Sequence, residues 1–313
     1  MTSQTIVSTR PQSRRRVNLA RRWAGLVFIL PCLLFVLVFF LLPLGMTVWM
    51  SLHDWPLLGQ KSFIGVRNFV DLAADQTFWS SLWFTTKYTL LVTPAIFLVA
   101  FGMALLMQSR RRLVGLFRTL FFLPVVIGMG AASLLWVWLF NDQVGILSAI
   151  LMRLGIVSEP VQWLGEPGTA LASIIVMVVW KVAGFTMLLL LVGMQGISDE
   201  IYEAARIDGA DWWQSMRYIT LPLLRRTFAL ALTISVIGSY LAFDQFYILT
   251  RGGPQNSTIT VVYWIYRAAF TYFKLGYAAA LSLVLLVILV VINVLQQYLL
   301  RDPDDSPSRE VRA

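Results

Sequence analysis

The chain has 313 residues, of which 58% are hydrophobic and only 13% carry a charge, and its mean hydropathy is +0.74. An ordinary soluble domain does not need so much apolar surface, so the composition indicates a polytopic membrane protein. The net charge of +9 does not indicate nucleic-acid binding, because the basic residues cluster at the ends of apolar stretches rather than among exposed aromatic residues.

Six apolar stretches are long enough to cross a bilayer, which takes about 20 residues. They cover approximately residues 23–49, 85–107, 119–140, 169–195, 227–249 and 276–299. The first stretch is longer than the core of a signal peptide and lacks a convincing cleavage site, so we expect it to remain as an anchor. The sequence therefore predicts an all-α integral membrane protein with six transmembrane helices and both termini on one side.

The distribution of Lys and Arg predicts which side that is. Seventeen of the 25 basic residues lie in the two tails, in the loop between the second and third stretches, and in the loop between the fourth and fifth. Seven lie on the opposite side. Because basic residues that flank spans are retained in the cytoplasm, we expect both termini and the loop after the fourth stretch to be cytoplasmic.

These features divide the chain into four parts. The parts are a basic cytoplasmic tail (1–22), the first transmembrane helix with an outer loop (23–84), a five-helix core (85–299) and a second cytoplasmic tail (300–313). Apolar residues at helical spacing predict a short helix in the loop 141–168 and a second one in the segment 250–275. The run from Thr250 to Pro254 is expected to end a helix.

The chain offers little for chemistry of its own. It has one cysteine, Cys32, and one histidine, His53, so neither a metal cluster nor a Cys-His or Ser-His-Asp set is expected. No Gly-x-x-x-x-Gly-Lys-Ser/Thr phosphate loop occurs, so ATP would have to be bound by another subunit. We therefore expect no catalytic residues, no metal and no cofactor in this chain.

The most specific pattern lies in the polar segment between the fourth and fifth stretches. Glu203, Ala204 and Ala205 are followed after three residues by Gly209, and further on by Ile219 and the pair Leu221-Pro222. Small side chains let another backbone approach a helix closely, and Glu203 adds an acceptor there. Gly209 is expected on or near the helical face of Ala205. Because glycine costs about 1 kcal/mol inside a helix, a packing or turn reason is expected there.

This order and spacing resemble the EAA loop in the permease subunits of binding-protein-dependent ABC importers. In that family the loop is a short cytoplasmic helix that fits a cleft in a separate ATPase subunit. The resemblance implies the type I ABC importer permease fold, with a coupling loop at about residues 196–226. It assigns ATPase coupling to Glu203, Ala204, Ala205, Asp208 and Gly209.

Other segments are similar to the carbohydrate branch of this family, which includes maltose, multiple-sugar and glycerol-phosphate permeases. They are residues 180–185, 191–197 and 243–258, and the Phe122-Leu123-Pro124 run. The resemblance implies import of a sugar or oligosaccharide through the cytoplasmic membrane of a bacterium or archaeon. Its implied partners are a second permease, an ABC ATPase dimer, an extracytoplasmic solute-binding protein and membrane lipid.

Three alternatives stay open at this point. The solute could be glycerol 3-phosphate or a polyol, because those permeases share the same motifs. A stand-alone secondary transporter would call for several intramembrane carboxylates or for discontinuous helices in both halves. An integral membrane enzyme would need a clustered catalytic set at one membrane face, which the sequence does not offer.

Apart from Lys87, which lies at the outer end of the second predicted span, two charged residues fall inside predicted spans, Lys181 in the fourth and Asp244 in the fifth. Charges inside a membrane are costly and usually face the protein interior. The two residues could therefore pair with each other, or they could line the path of the solute. In the second case Ser239, Tyr240 and Gln245 would offer hydrogen-bonding groups to sugar hydroxyls, because Ser239 and Tyr240 share a helical stripe with Ser235.

Overall fold

The computed structural model describes residues 28–108 and 113–300. The predicted basic tail 1–22, and the second tail beyond residue 300, lie outside the described residues. The helices are α1 (Phe28–Ser51), α2 (Arg67–Ala74), α3 (Gln76–Met107), α4 (Val114–Val126), α5 (Met129–Leu139), α6 (Ile146–Arg153), α7 (Pro167–Gln195), α8 (Asp199–Ile207), α9 (Trp212–Leu223), α10 (Arg225–Tyr240), α11 (Val261–Tyr266) and α12 (Leu275–Leu300). A small antiparallel hairpin joins β1 (His53–Asp54) to β2 (Ser62–Phe63), and π-helical turns occupy Phe246–Thr250 and Arg267–Thr271.

The described helices match the predicted spans, but not all of them are straight. Four helices, α1, α3, α7 and α12, are each long and apolar enough to cross a membrane. Two pairs of helices are also apolar enough but are bent at a short break, with an angle of 97° between α4 and α5 and of 64° between α9 and α10, which gives up to six spans if each pair counts as one. The all-α membrane fold is confirmed, as are the two short helices α6 and α11 that were expected between spans.

The predicted span over residues 119–140 is not one straight helix. Helix α4 ends at Val126, Ile127 is extended, and α5 begins at Met129 after Gly128. Pro124 lies in the last turn of α4, where its ring cannot donate a backbone hydrogen bond and crowds the preceding turn. The hydropathy of the sequence does not indicate this break, because it reports only how apolar the stretch is.

The predicted span 227–249 is also interrupted. Helix α10 ends at Tyr240, residues 241–243 are not helical, and the chain becomes helical again at Asp244, directly before the turn Phe246–Thr250. The hydroxyl of Thr260 donates to the carbonyl of Ala242 at 2.9 Å, which satisfies one backbone group exposed by the break. After Thr250 the chain leaves the helix, as the sequence predicts, and Arg251 has a φ of 51°.

The core is organised around α3 and α7, which pack against each other. One cluster of buried residues joins them to α5 and to the turn Phe246–Thr250 through Tyr88, Trp136, Ile174 and Phe246. A second cluster lies nearer the carboxyl ends of both helices and includes Met187, Leu190 and Leu224. In contrast, none of the most apolar part of α1 is buried, so this helix leaves its surface for lipid or another subunit.

Residues 50–84 were expected to form a modest loop, but most of them are ordered in the hairpin, in α2 and in the first turns of α3. Asp75 fixes this region to two other helices. One oxygen of its carboxylate accepts from the Thr77 backbone at 2.8 Å and caps α3. The other oxygen accepts from Trp264 Nε1 at 2.9 Å and from the Tyr277 hydroxyl at 2.6 Å. Asp75 thus connects α3, α11 and α12.

Replacing Asp75 with asparagine is expected to destabilise the protein by about 1–3 kcal/mol, the range for hydrogen bonds to a charged group and for an unsatisfied buried donor. Asparagine still caps a helix, but its amide offers only one oxygen to three donors. The measurement is the melting temperature of the purified protein in detergent. Asp71→Asn is the matched control, because Asp71 is exposed; equal melting temperatures for the two variants would contradict this role for Asp75.

Candidate functional site

The polar segment after α7 folds into two helices joined by a sharp turn. Ser198 caps α8 by accepting from the Glu200 backbone at 3.3 Å. At the other end, the Gly209 N–H donates to the Arg206 carbonyl at 3.1 Å, and the Ala210 N–H donates to the Ala205 carbonyl at 2.9 Å. This pair of bonds is a Schellman motif, which places a residue with positive φ just after the helix.

Gly209 is that residue, with a φ of +81°. The expectation that Gly209 lies on the helical face of Ala205 is therefore wrong, because α8 has already ended at Ile207. The turn, rather than close packing, explains the glycine: a Cβ at this position would have no atom within 4 Å. A side chain here would be strained by backbone conformation alone.

A second cap starts α9 immediately afterwards. The Asp211 carboxylate accepts from the Gln214 backbone at 2.6 Å, and the Gln214 side chain accepts from the Asp211 backbone at 2.8 Å. This reciprocal pair is a capping box. The hydroxyls of Tyr202 and Thr220 are 3.0 Å apart and tie α8 to α9. Since Leu224 between α9 and α10 is fully buried in the core, the segment is connected rigidly to the spans.

Four of the five predicted coupling residues are exposed, namely Glu203, Ala204, Asp208 and Gly209, while Ala205 is half-buried. Several large apolar side chains on the same segment are exposed as well, among them Ile207 to 87%, Trp212 to 64% and Trp213 to 63%. The sequence analysis did not single these out, although large apolar residues within a polar loop are a usable signal. Large exposed apolar patches on a protein are typical of sites that meet another protein or a membrane.

Lys181 and Asp244 do not form an ion pair. Lys181 is buried on α7, and its Nζ donates to the Val125 carbonyl at 3.0 Å, at the end of α4. Asp244 lies after the break that follows α10; it is exposed and has no hydrogen bond or ion pair with any described residue. The structure therefore separates the two intramembrane charges that the sequence allowed to pair.

The predicted polar stripe faces α3 rather than an open surface. Ser239, Tyr240 and Gln245 are all buried. The Tyr240 hydroxyl is 3.0 Å from the Thr86 hydroxyl, and Gln245 donates to the Tyr88 hydroxyl at 3.4 Å. Of the five residues predicted to line a path, only Asp244 is exposed in this chain.

Asp244 directly follows Phe243 in the chain, and Phe243 belongs to a cluster of aromatic rings that the sequence analysis did not assign to a path. Phe243 stacks on Tyr247 with ring centroids 5.2 Å apart, and Tyr266 packs against both of them at 5.1 and 5.3 Å. Tyr247 is 40% exposed. A carboxylate next to an exposed ring can accept hydrogen bonds from hydroxyl groups while the ring covers an apolar face of the same ligand.

Comparison with known proteins identifies relatives of this chain. Residues 96–303 match the family model described as binding-protein-dependent transport system inner membrane component. The chain is 34% identical to the probable ABC transporter permease protein YurN of Bacillus subtilis, covering 86% of this chain and 93% of that protein. It is 35% identical to the trehalose/maltose transport system permease protein MalF of Thermococcus litoralis, covering 80% and 84%. It is 33% identical to the lactose transport system permease protein LacF of Rhizobium radiobacter, covering 89% and 94%.

The fold is also found in a solved structure. A chain of a bacterial ABC transporter that imports the acidic polysaccharide alginate superposes with a TM-score of 0.80, over 92% of this chain and 99% of that one. The two sequences are 23% identical, so this likeness concerns the fold alone.

Proposed function

Because the chain belongs to the family of binding-protein-dependent transport system inner membrane components, the permease subunits of ABC importers, we propose that it serves an ATP-driven importer of a sugar or oligosaccharide. In this proposal it forms the translocation path with a second permease. An ABC ATPase dimer binds the ATP, and an extracytoplasmic binding protein delivers the solute. Both termini and the α8–α9 loop face the cytoplasm of a bacterium or archaeon.

The observation that carries the coupling role is the geometry of the loop from Ser198 to Leu224. Two capped helices present exposed residues outward, while the Tyr202–Thr220 contact and buried Leu224 anchor them to the spans. A body that pushes on this surface would move α10 with it, because α9 leads directly into α10. This is the mechanical property that an ATPase docking element requires.

The accessible charge favours a neutral sugar over glycerol 3-phosphate. Lys181 would suit an anion, but its amino group is buried and bonded to a backbone carbonyl. Asp244 is an exposed acidic residue, and Tyr247, which follows it in the same helical segment, is exposed as well. An unpaired carboxylate facing lipid is costly, so the face that carries Asp244 is expected to line the path or to meet the second permease. The names of the trehalose/maltose and lactose relatives support the same solute class.

Interrupted helices occur in the third predicted span, between α4 and α5, and in the fifth, after Tyr240, a feature that secondary transporters also use. Among the described span residues, however, Asp244 is the carboxylate that could couple to an ion. Membership in the ABC permease family favours the ATP-driven mechanism.

The decisive experiment is gentle extraction of the protein from its native membrane, followed by mass spectrometry of the partners that co-purify in stoichiometric amounts. A Walker-motif ATPase and a second permease are expected. Purification of this chain alone, with transport in proteoliposomes in the absence of ATP, would refute the proposal in favour of a secondary transporter.

Charge reversal at Glu203 tests the docking surface. Glu203→Lys is expected to leave the amount of membrane-inserted protein unchanged, because Glu203 is exposed on α8 and has no bond with any described residue. Co-purification of the ATPase is expected to be lost. Glu159→Lys, an equally exposed change in the loop before α7, is the control and should retain the ATPase. Equal ATPase recovery with both variants would contradict the docking assignment.

A further inference from the structure

The break between α4 and α5 leaves carbonyl groups without their helical partners. A helix that ends inside a membrane cannot give its last carbonyls to water, so each must find another donor. At this break the Ile127 N–H donates to the Pro124 carbonyl at 3.3 Å. The next carbonyl, that of Val125, accepts from Lys181 Nζ at 3.0 Å.

Lys181 is well suited to this position on α7. It is only 7% exposed, and it has no acidic partner among the described residues. A cation is stabilised at the carboxyl end of a helix, where the helix dipole is negative. Elsewhere in the chain Arg118 makes a similar contact, because its Nη2 donates at 2.6 Å to the carbonyl of Met107, the last residue of α3.

A second contact one turn along α7 holds the same end of α4. A Cβ atom at Gly184 would overlap the Phe121 carbonyl, so the two backbones cross with no space for a side chain. Phe121 and Val125 are one turn apart on α4, as Lys181 and Gly184 are on α7. The end of α4 is therefore held against α7 at two consecutive points.

The bend in turn determines what α5 contacts. Gly130, at the start of α5, lies against Ile248, whose Cδ1 would be 3.7 Å from a Cβ at that glycine. Trp136 on α5 belongs to the same buried cluster as Phe246 and Leu249. These residues form the turn that follows Asp244 directly, so the direction of α5 determines where that turn lies.

We propose that Lys181 is a positioning residue that caps the broken end of α4, holds the bend between α4 and α5, and thereby sets the position of Asp244 and of the turn Phe246–Thr250 that follows it, together called the Asp244 turn. Lys181 itself does not contact the solute. The effect on the path rests on the proposed function, whereas the effect on the bend does not.

The bend can be measured with two spin labels in the intact protein. In a Cys32→Ser background, Leu116→Cys on α4 and Leu134→Cys on α5 place labels at exposed positions on either side of the break. The complex is reconstituted into lipid nanodiscs with the partners that co-purify. A sample without the two introduced cysteines gives the background signal from spin labels attached to cysteines of those partners.

Wild-type Lys181 is expected to give a narrow distance distribution between the labels. Lys181→Met removes the donor, so the distribution should broaden and shift to longer distances as the bend opens. Lys181→Arg keeps a cationic donor and should restore the narrow distribution. If the Met variant does not fold, Lys181→Gln replaces it with a shorter neutral donor and should give a broadened distribution. An unchanged distribution in the neutral variant that folds would overturn the proposal.

The position of the Asp244 turn is read separately. Asp244→Cys is added to the Cys32→Ser background without spin labels. The rate at which this cysteine reacts with a water-soluble thiol reagent is compared between the protein that keeps Lys181 and the neutral variant. A changed rate is expected for the neutral variant, with return toward the original rate for Lys181→Arg. An unchanged rate would refute the link to Asp244. Neither measurement requires transport. A failure of the sugar-import proposal would therefore leave the outcome of both measurements unchanged.

Discussion

Replacing Gly209 with valine is expected to abolish ATP-driven uptake while the chain still inserts into the membrane. Gly209 has a φ of +81°, and a β-branched residue in that conformation costs about 1–3 kcal/mol. Because no atom lies within 4 Å of a Cβ at this position, the strain comes from the backbone conformation alone. The turn would relieve this strain by changing its φ, which moves α8 relative to α9. The docking surface would then no longer match its ATPase partner. The measurement is uptake of the solute carried by the binding protein, alongside ATP hydrolysis in the same proteoliposomes.

Gly209→Asn is the matched control, because asparagine tolerates positive φ and is found after helix ends. It adds a comparable volume at the same exposed position, and we expect it to keep most of the uptake. Loss of uptake in both variants would mean that the bulk of the side chain, rather than the conformation of the turn, disturbs the docking surface. Normal uptake in the valine variant would contradict the coupling role of the loop.

The sequence predicted the features that depend on local composition. The straight spans α7 and α12 begin and end within two residues of the predicted limits, because hydropathy changes sharply there. The resemblance of the segment from Glu203 to Pro222 to the EAA loop implies that the α8–α9 loop is the docking element, and this role stays a prediction. The Schellman turn at Gly209 was only one of two explanations that the sequence allowed for the glycine.

The features that could not be predicted depend on which helix lies opposite a residue. Ser239 and Tyr240 share a polar stripe, but only the packed structure shows that Tyr240 meets Thr86 on α3. The partner of Lys181 is a backbone carbonyl that becomes available because α4 breaks, so no side-chain pattern could indicate it. Nor could the sequence show that Asp244, unlike Lys181, is exposed in the folded chain.

Replacing Gly184 with alanine is expected to destabilise the protein strongly, because the new methyl group would overlap the Phe121 carbonyl. A backbone atom cannot rotate away, so α4 and α7 would have to separate, and overpacking of this kind costs about 1–3 kcal/mol. The separation would also lengthen the Lys181–Val125 hydrogen bond, which adds about 0.5–1.5 kcal/mol. The measurement is the melting temperature in detergent, followed by the monodisperse fraction on size exclusion.

Gly102→Ala is the control for this change, because Gly102 also lies inside a long helix but a Cβ there has no atom within 4 Å. That variant should melt at the wild-type temperature or slightly above, since alanine is favoured over glycine in a helix by about 1 kcal/mol. Combining Gly184→Ala with Lys181→Met should cost less than the sum of the single changes, because both act on the same end of α4. Strict additivity would show that the two contacts hold α4 independently, and a wild-type melting temperature for Gly184→Ala would show that α4 and α7 can separate without cost.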